Sequence, residues 1–274
     1  MVLQERMPEK RSFHTFVVMA REGSPYLDAC VLSLVNQTVR SPIVIYTATA
    51  SNHVAAISKK YEIPVLIHPV GGNMIDVWNF AYNNCESEYV TLVHEDDVYL
   101  PRYNEICFSY LNAIKNGESL ILFTWYNDFI NGKESVCNIK LLIKKLLLFP
   151  AVIKSAIRSR FLKKAMLLFG SPIPCPSVMY HKGRIGPFYF SKTFNCDLDW
   201  DAWLRLSERD GSFIFVNKKL LLHRIHHQSL TSQLIDSNGR RDEDLRIFRR
   251  LWPEPMARML SALYALSYRM NNAG

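Results

Sequence analysis

The sequence predicts an α/β protein: a mostly parallel sheet flanked by helices, with a basic helical insertion and a helical C-terminal tail. Three observations lead there. Short apolar, β-branched runs alternate with segments of helical periodicity over the first half of the chain, and the connections between them are short. After Thr124 that alternation stops, and the stretch Asn138 to Phe169 is apolar and basic. From Asp242 to Met270 the composition is helical, broken only at Pro253 and Pro255.

Thr15 to Ala20 (TFVVMA) reads as a buried strand, and Ser24-Pro25 as an N-cap followed by Pro at the first helical position. A helix over Leu27 to Asn36 follows from its apolar spacing. Ile43 to Thr47 is a second strand, and Ser51 caps a helix running to about Tyr61. Pro64 to Ile67 is a third strand, Gly71-Gly72 a tight loop, and Asn73 to Asn84 a helix. Tyr89 to Val93 is the fourth strand. Pro101 and Arg102 lead into a helix to about Asn116, and Leu120 to Thr124 is the fifth strand. Two helices divided at Pro150 are expected in the insertion. A Pro-rich loop (Pro172, Pro174, Pro176), a short strand at Ser177 to Tyr180, a helix over Trp200 to Arg209 and a strand at Phe213 to Val216 complete the reading.

The 274 residues are 49% hydrophobic and 12% aromatic, which supports one large α/β core and argues against disorder. Met1 to Ser12 is polar and lacks the apolar stretch of a secretory signal, so none is expected. The six cysteines (Cys30, Cys85, Cys107, Cys137, Cys175, Cys196) form no C-x-x-C pair. A reduced, cytoplasmic setting therefore fits better than a disulfide framework or a zinc site. Between Glu134 and Asp197 there is no acidic residue but eleven cations, more than the whole net charge of +8. Basicity confined to one segment does not suit a protein that coats nucleic acid. That segment cannot span a bilayer, because charge interrupts Leu141 to Phe149. Two readings of residues 139–169 stand: a basic amphipathic surface on anionic lipid at the inner membrane face, or apolar faces covering the core with solvated lysines. The tail cations Arg246, Arg249 and Arg250, with Trp252, suit that same surface or a homodimer interface.

Chemistry concentrates in three clusters. In Tyr89-Val90-Thr91-Leu92-Val93-His94-Glu95-Asp96-Asp97, an apolar strand ends in three consecutive carboxylates. Like charges that close resist joint ionisation. A hard divalent cation, Mg²⁺ or Mn²⁺, would neutralise them, and that suggests a phosphate-bearing substrate. Asp97 with Glu95 or Asp96 can reach one cation and a nucleotide; the plainer role is an acidic loop capping the next helix. The second cluster, Asp197-Leu198-Asp199-Trp200-Asp201-Ala202-Trp203, opens a helix. One acid there suffices as a general base, and the rest suit the helix dipole. Trp200 and Trp203 either pack in the core or stack on a sugar. The third, His223-Arg224-Ile225-His226-His227-Gln228-Ser229, offers imidazoles for a metal and a guanidinium for phosphate.

Together the clusters resemble the family 2 inverting glycosyltransferases, which have the GT-A fold. The resemblance covers roughly residues 14–232. It includes Leu34-Val35-Asn36-Gln37-Thr38 at the family's S-L-x-x-Q-T helix end, Gly71-Gly72, and Trp78-Asn79 where R-N is usual. It continues through His94-Glu95-Asp96-Asp97 at the DxD position and Asp199-Trp200-Asp201-Ala202-Trp203-Leu204-Arg205-Leu206 against E-D-x-D-L-W-L-R-L. The family's acid after the second strand is replaced by Thr47-Ala48-Thr49-Ala50-Ser51, and its acid before the base by Leu198.

The resemblance implies a GT-A-like domain over 1–232, with a nucleotide-binding half (14–125), the basic insertion (138–170) and an acceptor and catalytic half (171–232), then a tail (233–274). It implies a hexosyltransferase that uses Mn²⁺ or Mg²⁺ and a nucleotide-sugar donor, UDP-sugar being the commonest. The acceptor would be a glycan or polyprenyl-linked glycan in surface polysaccharide synthesis. Asp97, His226 and His227 would hold the metal. Ala20, Glu22, Thr47, Asn79, Glu95, Asp96 and Arg224 would meet the donor. Asp199 would be the catalytic base, with Asp201 as its runner-up, and Trp200 and Trp203 would meet the acceptor. A metal-dependent phosphohydrolase or nucleotidyltransferase and a non-catalytic surface-binding module are the competing classes.

Overall fold

A computed structural model describes residues 12–114, 118–135, 139–226 and 239–269. Strand β1 (His14–Ala20) is buried along its whole length, as expected for a strand covered on both faces. It pairs in parallel with β2 (Ile43–Thr47) on one side and β4 (Tyr89–His94) on the other, and β2 pairs in parallel with β3 (Val65–Ile67). The intervening helices are α1 (Leu27–Val35), α2 (Asn52–Tyr61) and α3 (Met74–Asn84). Their amphipathic faces bury Leu27, Val31 and Leu34, then Val54 and Ile57, then Trp78 and Tyr82.

Local sequence explains the starts of two of these helices. Ser51 Oγ accepts the Val54 N–H at 3.1 Å at the head of α2. Asn73 and Asp76 form a reciprocal capping box on α3. Gly72, at φ +126°, lies so close that a Cβ would stand 2.9 Å from the Asp76 carboxylate. At α1 the expected Ser24 cap is not made. Tyr26 occupies the cap position, and Ser24 instead closes the preceding turn, its hydroxyl accepting the Tyr26 N–H and its carbonyl the Leu27 N–H.

Short β5 (Val98–Tyr99) and α4 (Tyr103–Ala113) precede β6 (Ser119–Ile130), which hairpins into β7 (Lys133–Ser135). The strand expected to end at Thr124 thus runs on to Ile130. The insertion folds as α5 (Ile139–Leu147), α6 (Phe149–Ile153), β8 (Ala156–Ile157) and α7 (Arg160–Ala165). The helical run divides near Pro150 as expected: α5 ends at Leu147 and α6 begins at Phe149, with Pro150 in its first turn, where its missing N–H costs nothing. A 3₁₀ turn (Cys175–Ser177), β9 (Met179–His181) and α8 (Lys182–Ile185) lead to α9 (Leu198–Ser207) and β10 (Ser212–Ile225). The tail is α10 (Gly239–Leu251) and α11 (Glu254–Arg269).

The strands join one sheet of order β3-β2-β1-β4-β9-β6-β10-β5, with β7 on β6 and β8 on β10. The β3, β2, β1 and β4 run is parallel, as is β6 with β10, while β9 lies antiparallel between β4 and β6. The α/β fold with a mostly parallel sheet is as the sequence predicts. Strand β10 outlasts its expected end at Val216. It bulges over exposed Asn217, Lys218 and Lys219, then pairs again with β6 as far as Ile225. The tail packs on α9 and the loop before it: Phe248 and Tyr264 contact the Trp200 ring, and the Glu243 carboxylate accepts N–H groups of Asn195, Cys196 and Asp197. Cys30, Cys85, Cys107 and Cys175 are free thiols, and Cys137 lies outside the described residues.

Candidate active site

Three strand ends meet at the carboxyl edge of the sheet, where open α/β sheets place ligands. Strand β4 ends at His94, and the chain turns through Glu95, Asp96 and Asp97, closed by the Asp97 N–H donating to the His94 carbonyl at 3.2 Å. The residue after β1 clamps this turn. Arg21 donates its backbone N–H (2.7 Å) and its Nε (2.8 Å) to the buried Glu95 carboxylate. The end of β10 clamps it from the other side. Arg224 donates its N–H to Asp97 Oδ1 and its Nε to the Asp96 carbonyl, both at 2.8 Å, and His226 Nε2 pairs with Asp96 Oδ2 at 2.9 Å. The Arg224 guanidinium lies over the rings of Tyr26 and Phe129, which fixes its plane.

The electrostatics separate these groups. Burial pushes the Asp97 carboxyl above the usual carboxylate range, with adjacent Asp96 adding to the effect. Burial also opposes ionisation of Asp96, but the His226 hydrogen bond and nearby imidazoles outweigh it and hold Asp96 low. Burial lowers His94 to about 4, so its imidazole is neutral at physiological pH and has a lone pair to give. The ligand atoms of His94, Asp96 and Asp97 lie within 4.8 Å of one another. Asp97 Oδ2 is buried without a hydrogen-bond partner among the described residues. One neutral imidazole, two carboxylates and an orphaned buried oxygen suit a divalent cation.

A cavity of about 700 Å³ opens over this turn. Ala20, Glu22, Thr47, Glu95, Asp96 and Arg224, all expected to meet the donor, line it. So does Asp199, from the first turn of α9. Its Oδ1 accepts the Trp200 N–H at 2.7 Å. Burial raises the Asp199 carboxyl above its ordinary value, against the pull of that hydrogen bond and of the Arg240 and Lys144 charges. The turn from β4 and the acid of α9 therefore face one cavity.

Other expected residues stand elsewhere. Asn79 does not line the cavity. Its side chain accepts the Phe190 N–H (2.6 Å) and donates to the Phe190 carbonyl (3.1 Å), pinning the loop before α9. Asn79→Ala is accordingly expected to cost about 1–3 kcal/mol of stability, the penalty for stranding a buried backbone group, with donor affinity unchanged. Thermal unfolding beside a nucleotide titration checks it. Asp201 lies outside the cavity, buried and paired with Arg205 and Arg250, so it cannot act as the runner-up base. Trp200 and Trp203 are fully buried: the Trp200 indole donates to the Leu167 carbonyl, and Trp203 stacks on Tyr180. Neither can stack on an acceptor sugar, because both belong to the apolar stripe by which α9 packs on the core. His226 holds Asp96 by a hydrogen bond, and the imidazole of the potential metal cluster is that of His94; His227 lies outside the described residues.

Several wall residues escaped sequence reasoning. Arg21 adjoins two residues that were singled out, yet nothing in its local pattern marks the clamp on Glu95. His94 enters the sequence reading only with the competing phosphohydrolase, built from His94, the carboxylates and His226-His227, and not among the ligands that the resemblance implies. Lys144, which donates to the Tyr126 hydroxyl at 2.9 Å, and Arg240 reach the cavity from the insertion and the tail, and no spacing connects them to it.

No family model matches the chain, and no curated protein does. Solved structures do. The fold is similar to that of S. aureus TarS. The TarS 1-349 structure aligns with a TM-score of 0.59 at 14% identity, covering 91% of this chain and 69% of that one. Its complex with UDP gives 0.57 at 14% identity, covering 92% and 70%. Its complex with UDP-GlcNAc gives 0.57 at 13% identity, covering 93% and 72%. The chain spans 42% of a longer TarS structure. At such identity the likeness to TarS is one of fold.

Proposed function

We propose that this chain is a family 2-type inverting glycosyltransferase that moves a sugar from a nucleotide-sugar, UDP-sugar foremost, to a hydroxyl of a glycan or lipid-linked glycan. The observation that carries the reading is a single cavity walled both by the His94–Asp97 turn and by the Asp199 carboxylate on a separate helix. Fold similarity to TarS structures that contain UDP and UDP-GlcNAc supports it. Residues 14–125 then supply the nucleotide half and 171–232 the catalytic half.

In this reading Ala20, Glu22 and Thr47 border the nucleoside, and Arg224 meets the diphosphate. His94, Asp96 and Asp97 would hold Mn²⁺ or Mg²⁺. When bound, the cation offsets the charge of the leaving diphosphate. Asp199 removes the proton from the acceptor hydroxyl, which attacks the anomeric carbon from the face opposite the diphosphate. The Lys144 and Arg240 charges oppose the rise that burial imposes on the base.

A base with a raised pKa loses function as pH falls through that value. The acid limb of kcat/KM is expected above the ordinary carboxylate value of about 4. A limb at or below that value would remove Asp199 from the role. A metal-dependent phosphohydrolase shares the carboxylate turn but has no use for a second acid on α9. Incubating nucleotide-sugars with and without acceptor glycans separates the two. Sugar transfer that depends on the acceptor supports the transferase; equal release of nucleotide into water supports the hydrolase.

A further inference from the structure

The cavity has a second character. Beyond the charged turn its wall continues over Ile143 and Leu147 of α5, Phe169, and Leu260 and Leu263 of α11. Ile143, Phe169 and Leu263 line the cavity and are also 45%, 45% and 57% exposed, so they form its mouth. Exposed apolar side chains also occur on the helices that follow in the chain. Leu142 and Leu146 on the outer face of α5 are 68% and 72% exposed, and Ile153 at the end of α6 is 71%. Single exposed apolar residues are ordinary, but a run of this size on consecutive helices marks an interaction surface.

Cations are interleaved with these residues. Lys145 and Lys154 are exposed, while Arg158 and Arg160 are paired with Glu118 and Asp210. Residues 135–196 contain no acid of their own. Apolar side chains at the level of lysines on long aliphatic stems match the boundary between acyl chains and anionic headgroups. No helix among the described residues is long and apolar enough to cross a membrane, so the attachment in question is peripheral.

We propose that the rim formed by α5, α6 and the Phe169–Leu263 lip docks on an anionic lipid bilayer, with the cavity mouth facing the headgroups. Helix α5 joins the two functions. Its outer residues Leu142 and Leu146 enter the lipid boundary, and its inner residues Lys144 and Leu147 wall the cavity that holds Asp199. An acceptor anchored in the bilayer would then present its hydroxyl at the mouth. That last step rests on the glycosyltransferase reading; the docking does not.

Flotation of the full chain with vesicles tests the docking without any transfer assay. The protein is expected to float with phosphatidylglycerol-containing vesicles at low salt, and at least about tenfold more weakly with phosphatidylcholine alone. The double variant Leu142→Glu, Leu146→Glu is expected to lose about tenfold or more in binding, with its thermal unfolding unchanged because both sites are exposed. Lys145→Glu with Lys154→Glu should also weaken binding and reduce its salt dependence. No flotation with anionic vesicles at low salt overturns the proposal, as does flotation undiminished in the leucine variant. Light scattering that shows a dimer abolished by the leucine variant, without lipid binding, would assign the surface to a second copy of this chain and also overturn it.

Discussion

Asp199→Asn is expected to lower sugar transfer by about 10²–10⁴-fold, the usual contribution of a positioned general base, while nucleotide-sugar binding survives. The amide keeps the size of the carboxyl and its contact with the Trp200 N–H but has no lone pair basic enough to take the acceptor proton. The fold should not suffer. A carboxyl whose pKa is raised in the folded state binds its proton more tightly there than in the unfolded chain. Its contribution to stability therefore falls as pH rises from the unfolded value through the folded one. At pH 7 the neutral amide removes that cost, so the variant's unfolding midpoint is expected to equal or exceed that of the parent. Radiolabelled transfer, donor titration and thermal unfolding on one preparation check all three statements. Asp201→Asn is the control. It breaks the ion pairs to Arg205 and Arg250 and should lower stability, with kcat in the folded fraction retained.

The second large effect is expected on removing divalent cations. Protein stripped by a chelator should lose at least about a hundredfold in rate, and Mn²⁺ or Mg²⁺ should restore it. The reason lies in the turn after β4. Asp97 is buried, its Oδ2 has no hydrogen-bond partner among the described residues, and Asp96 and the neutral His94 imidazole stand within ligand distance of one another and of it. Asp97→Ala should reproduce the loss and should not respond to added metal. Full turnover by the metal-stripped protein would assign the carboxylates to holding the β10 end through Arg224 and His226, a purely structural part.

Much of this arrangement was legible in the sequence because local signals agreed with the global fold. The acids after β4 were marked by their position behind an unbroken apolar strand. The start of α2 was marked by Ser51, whose side chain accepts the helix N–H it was expected to accept, and the start of α3 by Asn73, which caps the helix instead of opening it. Asp199 was legible from its resemblance to a motif, although Asp197, Asp199 and Asp201 are equivalent by composition. Only packing separates them: Asp199 meets the cavity, Asp201 turns to Arg205 and Arg250, and burial raises Asp197, beside Asp244 in the core.

What was not legible depends on contacts distant in sequence. Strand β10 looks finished at Val216 because Asn217-Lys218-Lys219 breaks the apolar pattern, yet the sheet carries it across a bulge to deliver Arg224 and His226 to the turn after β4. The indoles of α9 read equally as core or platform, since aromatic residues serve both, and only their complete burial decides it. Lys144 and Arg240 reach the cavity because the insertion and the tail fold over it.

The central claim is that the turn at 95–97 and the acid at 199 serve one bound nucleotide-sugar. Thermal shift against a panel of nucleoside diphosphates and UDP-sugars with Mn²⁺ tests it most directly. A ligand that binds only the folded state raises the unfolding midpoint in proportion to the logarithm of its excess over Kd. At least one nucleotide is expected to raise the midpoint of the parent and of Asp199→Asn alike, and to lose that effect in Asp96→Ala. No shift with any nucleotide, or a shift untouched by Asp96→Ala, would contradict the account.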